Sequence, residues 1–375
     1  GAPALVFAFA VLPVFLLAPL AGVVADRFDR RRIMIAADLL RVAPALGLVA
    51  AAVLREAWLA YLCVALLSAL AAFFQPVTAA VVPNLVPPHE VSLAQAAISS
   101  VWGTMLFVGA AVGGLVTGAL GIETSFVVNA ATFLMSALLV ARIRRPLRTG
   151  PVIAPAGVLA HLDEVWRFAR QRKIIRALMT TKAGVGVGNG IVGLLPVYAL
   201  ERFDAGPAGI GVLLAARGLG ALVGPYLGRA LARDQGRRQL VVIGLSIVAY
   251  ALAYAALPWA GGMAVASLCV ATAHLGGGAQ WVLSTHGLQV TTPDAVRGRV
   301  MSLDFGLATL AIGVSSLGAG AAAEAVGLVA ASYLMAAAAL VYGAAWLVWT
   351  RDLWAGERDP FAPPVAAGTP AEAPG

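Results

Sequence analysis

Asp38, Arg41, Lys182, Arg217 and Asp304 are ionisable residues set inside otherwise apolar runs of the chain. In water such residues are unremarked, but in hydrocarbon each costs about 2.5–3.5 kcal/mol on insertion scales and needs a partner or a wet cavity. Asp38 and Arg41 stand three apart, about one helical turn, so their side chains can meet. That spacing fits either a self-satisfied ion pair or a carboxylate that takes up and releases a proton. Lys182, about eight residues or ~12 Å into its run, and Arg217 lack an acidic neighbour in their own runs. Each fits an anion- or substrate-lining role or one half of a remote pair. Asp304, one turn into its run and with Arg299 near it, fits a gate network or a proton site. His274 stands among glycines and reads as a hydrogen-bonded packing residue.

The elements that must position these groups follow from composition. Of 375 residues, 61% are apolar and 12% charged, with mean hydropathy +0.89. Soluble domains are about a quarter charged. The bilayer is the consistent solvent, and there the backbone must pair within helices or a closed barrel. Apolar runs of about 20 residues without alternation select helices. Eleven spans are expected, near 3–24, 33–54, 58–82, 96–119, 122–141, 174–199, 207–231, 239–258, 260–288, 300–322 and 326–349. They divide into a bundle over 1–141 and a bundle over 174–350. A basic connector, 142–173, carries an amphipathic stretch (159–172) that should lie along the membrane surface. The Pro/Ala/Gly-rich tail, 351–375, is expected to be disordered. Cys63 and Cys269 fall in apolar runs and read as packing residues, with no disulfide or metal site.

Of the 26 Lys and Arg, 21 belong to alternate connections and the tail, against Arg55 and Arg202 on the other side. This is a positive-inside pattern, placing the basic loops and C-terminus in the cytoplasm of a cell-membrane protein. The net charge of +8 is thereby read as topology, not as a nucleic-acid surface.

Two basic loops repeat at a constant offset. Pro19, Gly22, Arg27, Arg31 and Arg32 correspond to Pro225, Gly228, Arg233, Arg237 and Arg238, and Pro87 corresponds to Pro293 at the same spacing. Duplicated membrane halves with a site between them are the plan of a secondary transporter. Six helices per half then imply that one helix precedes Gly1.

Gly22, Asp26, Arg27, Arg30 and Arg31 resemble the loop signature of the major facilitator superfamily, with Asp29 in place of a glycine. Gly109-Ala-Ala-Val-Gly113-Gly114 is similar to the glycine motif of the family's exporters, with Ala110 where Pro is common. Asn129 to Ala137 and Arg297-Gly298-Arg299-Val300 resemble the branch holding macrolide and enterobactin exporters. The resemblance implies an all-α fold of two six-helix bundles related by a pseudo-two-fold axis. It implies a latch in which Asp26 faces the helix beginning near Arg299, with Gly22, Arg27, Arg30, Arg31 and Arg297 around it. Gly109, Gly113 and Gly114 are expected to let helices pack closely.

A proton-coupled exporter of small amphipathic molecules is therefore expected. It would be a multi-pass monomer with a small-molecule substrate, a coupling cation and lipids as partners, and no cofactor, nucleotide or nucleic acid. An importer, a facilitator or a lipid flippase would use the same fold. The run 58–82 lacks the Arg of many proton-coupled drug exporters, so coupling cannot be copied from them; Asp38 and Asp304 are the candidate acids. No Walker loop, Gly-x-Ser-x-Gly elbow or His-Glu metal constellation speaks for an enzyme.

Overall fold

A computed structural model describes residues 2–147, 158–233, 235–357 and 359–361. Those residues are helical almost throughout. In the first half, α1 (Ala2–Arg27), α2 (Arg30–Leu54) and α3 (Ala57–Leu85) lead to α4 (Val91–Thr104), which continues through a π-turn at Met105–Gly109 into α5 (Ala110–Leu120) and then α6 (Ile122–Ala141). Local chemistry sets several ends. Asp29 caps α2 by accepting from the Arg32 N–H at 2.9 Å. Arg55, in the left-handed region (φ 57°), closes the same helix.

Helix α7 (Val158–Gln171) lies in the connector. It buries Val165 and Ala169 and exposes Trp166, packing on α1, α8 and α13. The second half comprises α8 (Lys173–Gly188), α9 (Gly190–Val197), α10 (Gly206–Ala232), α11 (Gly236–Ala256), α12 (Met263–Thr291), α13 (Asp294–Val326) and α14 (Leu328–Trp349). Its core gathers Ile175, Leu178, Tyr198, Leu240, Ile247 and Tyr250, all fully buried.

Among the described residues, eight helices are long and apolar enough to cross a bilayer. They cover the expected spans except those near 3–24, 96–119 and 260–288, which fall on α1, on α4 with α5, and on α12.

The halves meet along two seams. One runs between α1 and α13, with α3 beside it; the other runs between α4 and α10. Both are close backbone approaches. A Cβ on Gly22 would stand 2.9 Å from Arg299 Cα, and one on Gly103 would strike the backbone of Leu222. Hydroxyls stitch each seam: Ser302 donates to the Ala18 carbonyl, and Ser100 to the Leu222 carbonyl at 2.9 Å.

Two expectations change. The tail is not disordered from its start, because α15 (Arg351–Ala355) and Phe361 pack back on the second half. Arg237 donates to the Gly356 carbonyl at 2.7 Å, and Phe361 sits against Gly236 and Gly287. Burial of Leu353, Trp354 and Phe361 outweighs the low-complexity composition. Residues 148–157 of the connector and 362–375 of the tail lie outside the described residues. A Cβ on Gly109 or Gly113 would meet nothing within 4 Å, so neither makes the close helix approach expected of it; Gly109 lies in the π-turn, which packs on α10, and Gly113 in α5, which packs on α6. The surroundings of Gly114 are outside what the structure describes. Gly103, a turn earlier, makes the close approach instead.

Candidate functional site

At the basic end, charged residues from both halves interlock. Asp26, at the last turn of α1, accepts from Arg299 Nε of α13 at 2.6 Å, and both side chains are almost wholly buried. The Arg299 guanidinium also reaches Glu164 of α7 at 2.6 Å and the Ala295 carbonyl at 3.1 Å. Beside them the Asp294 carboxylate, at the first turn of α13 where the helix dipole favours an anion, collects three donors. They are Arg30 of α2 at 2.8 Å, Arg297 at 2.9 Å and Asn84 of α3 at 3.1 Å. Arg30 is fully buried and gives further hydrogen bonds to the Leu147 and Ala80 carbonyls at 3.1 and 3.3 Å. The glycines make this possible: Gly22 admits Arg299, and a Cβ on Gly298 would collide with Asp26.

Of the residues singled out in sequence, Gly22, Asp26, Arg30, Arg297 and Arg299 thus come together. Arg31 stays in its own half, donating to the Arg145 carbonyl at 3.0 Å. Arg27 is outside the cluster, exposed, with its guanidinium 5.5 Å from the Phe28 ring. Asp294, Glu164 and Asn84 were missed. The Pro293-Asp294 step opening a helix was the one visible signal.

Deeper in the bundle, Arg41 meets Asp38 at 3.0 Å and lies 4.9 Å from the Phe74 ring and 5.5 Å from Phe133. This pair joins α2, α3 and α6 within one half. Lys182 of α8 forms a buried ion pair with Asp304 of α13, and its ammonium lies 5.0 Å from the Trp281 ring of α12. Asp304 is therefore a partner of Lys182 and not of Arg299, which points to the cluster at the basic end. His274 is hydrogen-bonded to Tyr254 Oη at 2.9 Å. Gln289 of α12 donates to Gln95 Oε1 at 3.1 Å and to the Ala79 carbonyl at 2.6 Å, another bridge between halves. Arg217 of α10 lies 5.4 Å from the Trp102 ring of α4. Among the described residues no group of three or more His, Cys, Asp or Glu could hold a metal ion.

Such an arrangement can do two things. At the basic end it holds the halves together by charge-assisted bonds that break only if both halves move. At depth it places two carboxylates beside cations, where uptake of a proton would release the pairing.

Comparison with known proteins fits this geometry. The family model described as transmembrane secretion effector matches residues 2–363. Macrolide efflux protein A of Streptococcus pyogenes is 25% identical over 305 residues, 80% of this chain and 75% of that protein. The MFS-type transporter YfiS of Bacillus subtilis is 25% identical over 265 residues, 68% of this chain and 61% of that protein, less than two thirds of its length. Among solved structures, the human organic anion transporter MFSD10 superposes with a TM-score of 0.79 at 16% identity, covering 92% of this chain and 83% of that one. A bacterial homologue of the iron transporter ferroportin, in an outward-facing state, gives 0.72 at 19% identity, covering 93% and 90%. These likenesses show the shared fold.

Proposed function

The chain belongs to the transmembrane secretion effector family of the major facilitator superfamily, and on that premise we propose that it exports small amphipathic molecules by proton-coupled alternating access. The observation that carries this reading is the ionic cluster across the two halves, Asp26–Arg299–Glu164 and Arg30–Asp294–Arg297, buried except at Glu164. A rigid assembly gains little from buried ion pairs, since their desolvation offsets most of the attraction. A carrier gains a contact that closes one end in one state and parts in the other.

The basic end, cytoplasmic by the positive-inside pattern, is closed in this conformation. Gly22, Asp26, Arg30, Arg297 and Arg299 form the latch, with Arg31 and Arg27 as flanking cations at the membrane surface. Asp304, paired with Lys182, is the acid we assign to coupling. It lies on the same helix as Arg299, so its protonation can be felt at the latch. Asp38 with Arg41 stays within one half and serves to hold α2 against α3 and α6. The efflux proteins among the relatives support export over import.

The test is transport by the full chain in inside-out vesicles, with a pH gradient and a panel of one cationic, one uncharged and one anionic amphipathic probe. At least one probe should be pumped, its uptake should collapse with a protonophore, and Asp304→Asn should abolish it at unchanged protein level while Asp38→Asn slows it less. Pumping that ignores the protonophore would remove proton coupling. No movement of any probe would remove the broad export reading.

A further inference from the structure

Among the described residues, every cation deep in the bundle but one, which is half-buried, is answered by a carboxylate: the buried Arg41 by Asp38 and the buried Lys182 by Asp304. Arg217 is the exception. It stands about 11 residues into α10, ~16 Å from its end at 1.5 Å per residue, so it lies near mid-membrane. Among the described residues no acid pairs with it, and its buried Nε has no hydrogen-bond partner. Its contact is the Trp102 ring, 5.4 Å away across the seam between the halves. A cation–π contact contributes roughly 0.5–2 kcal/mol and leaves the charge unneutralised.

The seam changes character at this level. Toward the basic end it is shut, with Gly103 against the Leu222 backbone and Ser100 bonded to the Leu222 carbonyl. Away from the basic end, a Cβ on Gly109, Gly113 or Gly211 would meet nothing within 4 Å. Arg217 and Trp102 therefore sit between the tight Gly103–Leu222 approach and the π-turn, which still packs on α10 before α5 turns to lie along α6. Trp102 is 53% exposed and offers a flat apolar face beside the guanidinium.

We infer that Arg217 and Trp102 form a receptor for an amphipathic organic acid, the guanidinium taking its carboxylate and the indole its apolar body. A guanidinium donates two parallel N–H···O bonds to a carboxylate, a charge-assisted pairing stronger than a neutral hydrogen bond. The cargo thus supplies the anion that the protein withholds. This names a substrate class for the carrier described above and rests on that reading.

The test uses purified full chain in nanodiscs at pH 7.5, with 1-pyrenebutyric acid and its methyl ester as probes and empty nanodiscs as the blank. The wild type should bind the acid at least tenfold more tightly than the ester. Arg217→Gln should bring that ratio to about one, and Arg217→Lys should keep part of it. Trp102→Ala should weaken acid and ester alike. Equal binding of acid and ester by the wild type overturns the inference, as does an undiminished ratio in Arg217→Gln. If Arg217→Gln cannot be purified, unchanged affinity for the acid in Trp102→Ala overturns it instead. Proton-driven pumping of other probes without acid preference would sink this inference alone. Acid preference without proton-driven pumping would sink the coupling alone.

Discussion

Lys182 and Asp304 lie 122 positions apart, on α8 and α13, yet they meet in a site with about 3% of either side chain exposed. Removing one partner of such a pair strands a buried charge and costs roughly 3–5 kcal/mol, whereas replacing both with apolar residues is nearly neutral. Lys182→Met and Asp304→Leu should therefore each lower the thermal unfolding midpoint of the purified carrier, and the double variant should recover most of the loss. A double variant no better than the worse single one would show that the pair is not balanced in this way. The sequence made the Asp38–Arg41 pair legible because one helical turn fixes that contact. It could not reveal Lys182–Asp304 or Arg299–Glu164, because residue spacing within a helix does not say which helices are neighbours. Arg27 shows the converse: it matches the signature but faces away from the cluster.

The two seams are the elements whose geometry matters most. Along α1 and α13, Gly22, Gly298 and Gly306 admit Arg299, Asp26 and Ala18 in turn; along α4 and α10, Gly103 admits Leu222. Gly22→Leu or Gly103→Leu should pry the basic end apart, raising the labelling of cysteines introduced behind Asp294 several-fold. Gly113→Leu, with open space around its Cβ, should leave that labelling unchanged. The helices themselves were readable as apolar runs of membrane length. The π-turn at Met105–Gly109 was not, and Gly109 within it and Gly113 just after it face open space. The ordered tail was hidden too, since a few apolar anchors in a Pro/Ala/Gly background decide it. There, the hydrogen bond from Lys173 at 2.5 Å holds the Asp352 carboxyl below its ordinary value. A carboxylate lowered by folding stabilises above its unfolded pKa and loses that contribution as pH falls through the lowered one. The tail should consequently loosen on acidification below the ordinary carboxylate range, seen as faster proteolysis between α14 and Phe361, and Asp352→Asn should remove that pH dependence.

At the scale of the molecule, the constant offset between the two basic loops announced a duplication, and in the structure the halves meet along two seams of close glycine contact. Duplication does not say which end of the molecule is shut; the charges do. Everything that crosses between the halves at the basic end, from Asp26–Arg299 to Asn84–Asp294, must separate if that end is to open. The most direct measurement is a pulsed electron spin distance between labels at Glu90, beside α4, and Arg238, at the start of α11, in a chain whose Cys63 and Cys269 are replaced by Ser. Both label positions are exposed at the basic end, one in each half. The account predicts a short distance at pH 8, with a second, longer population growing on acidification and dominating in Asp26→Asn. A single unchanging distance in all of these conditions would contradict alternating access through this latch.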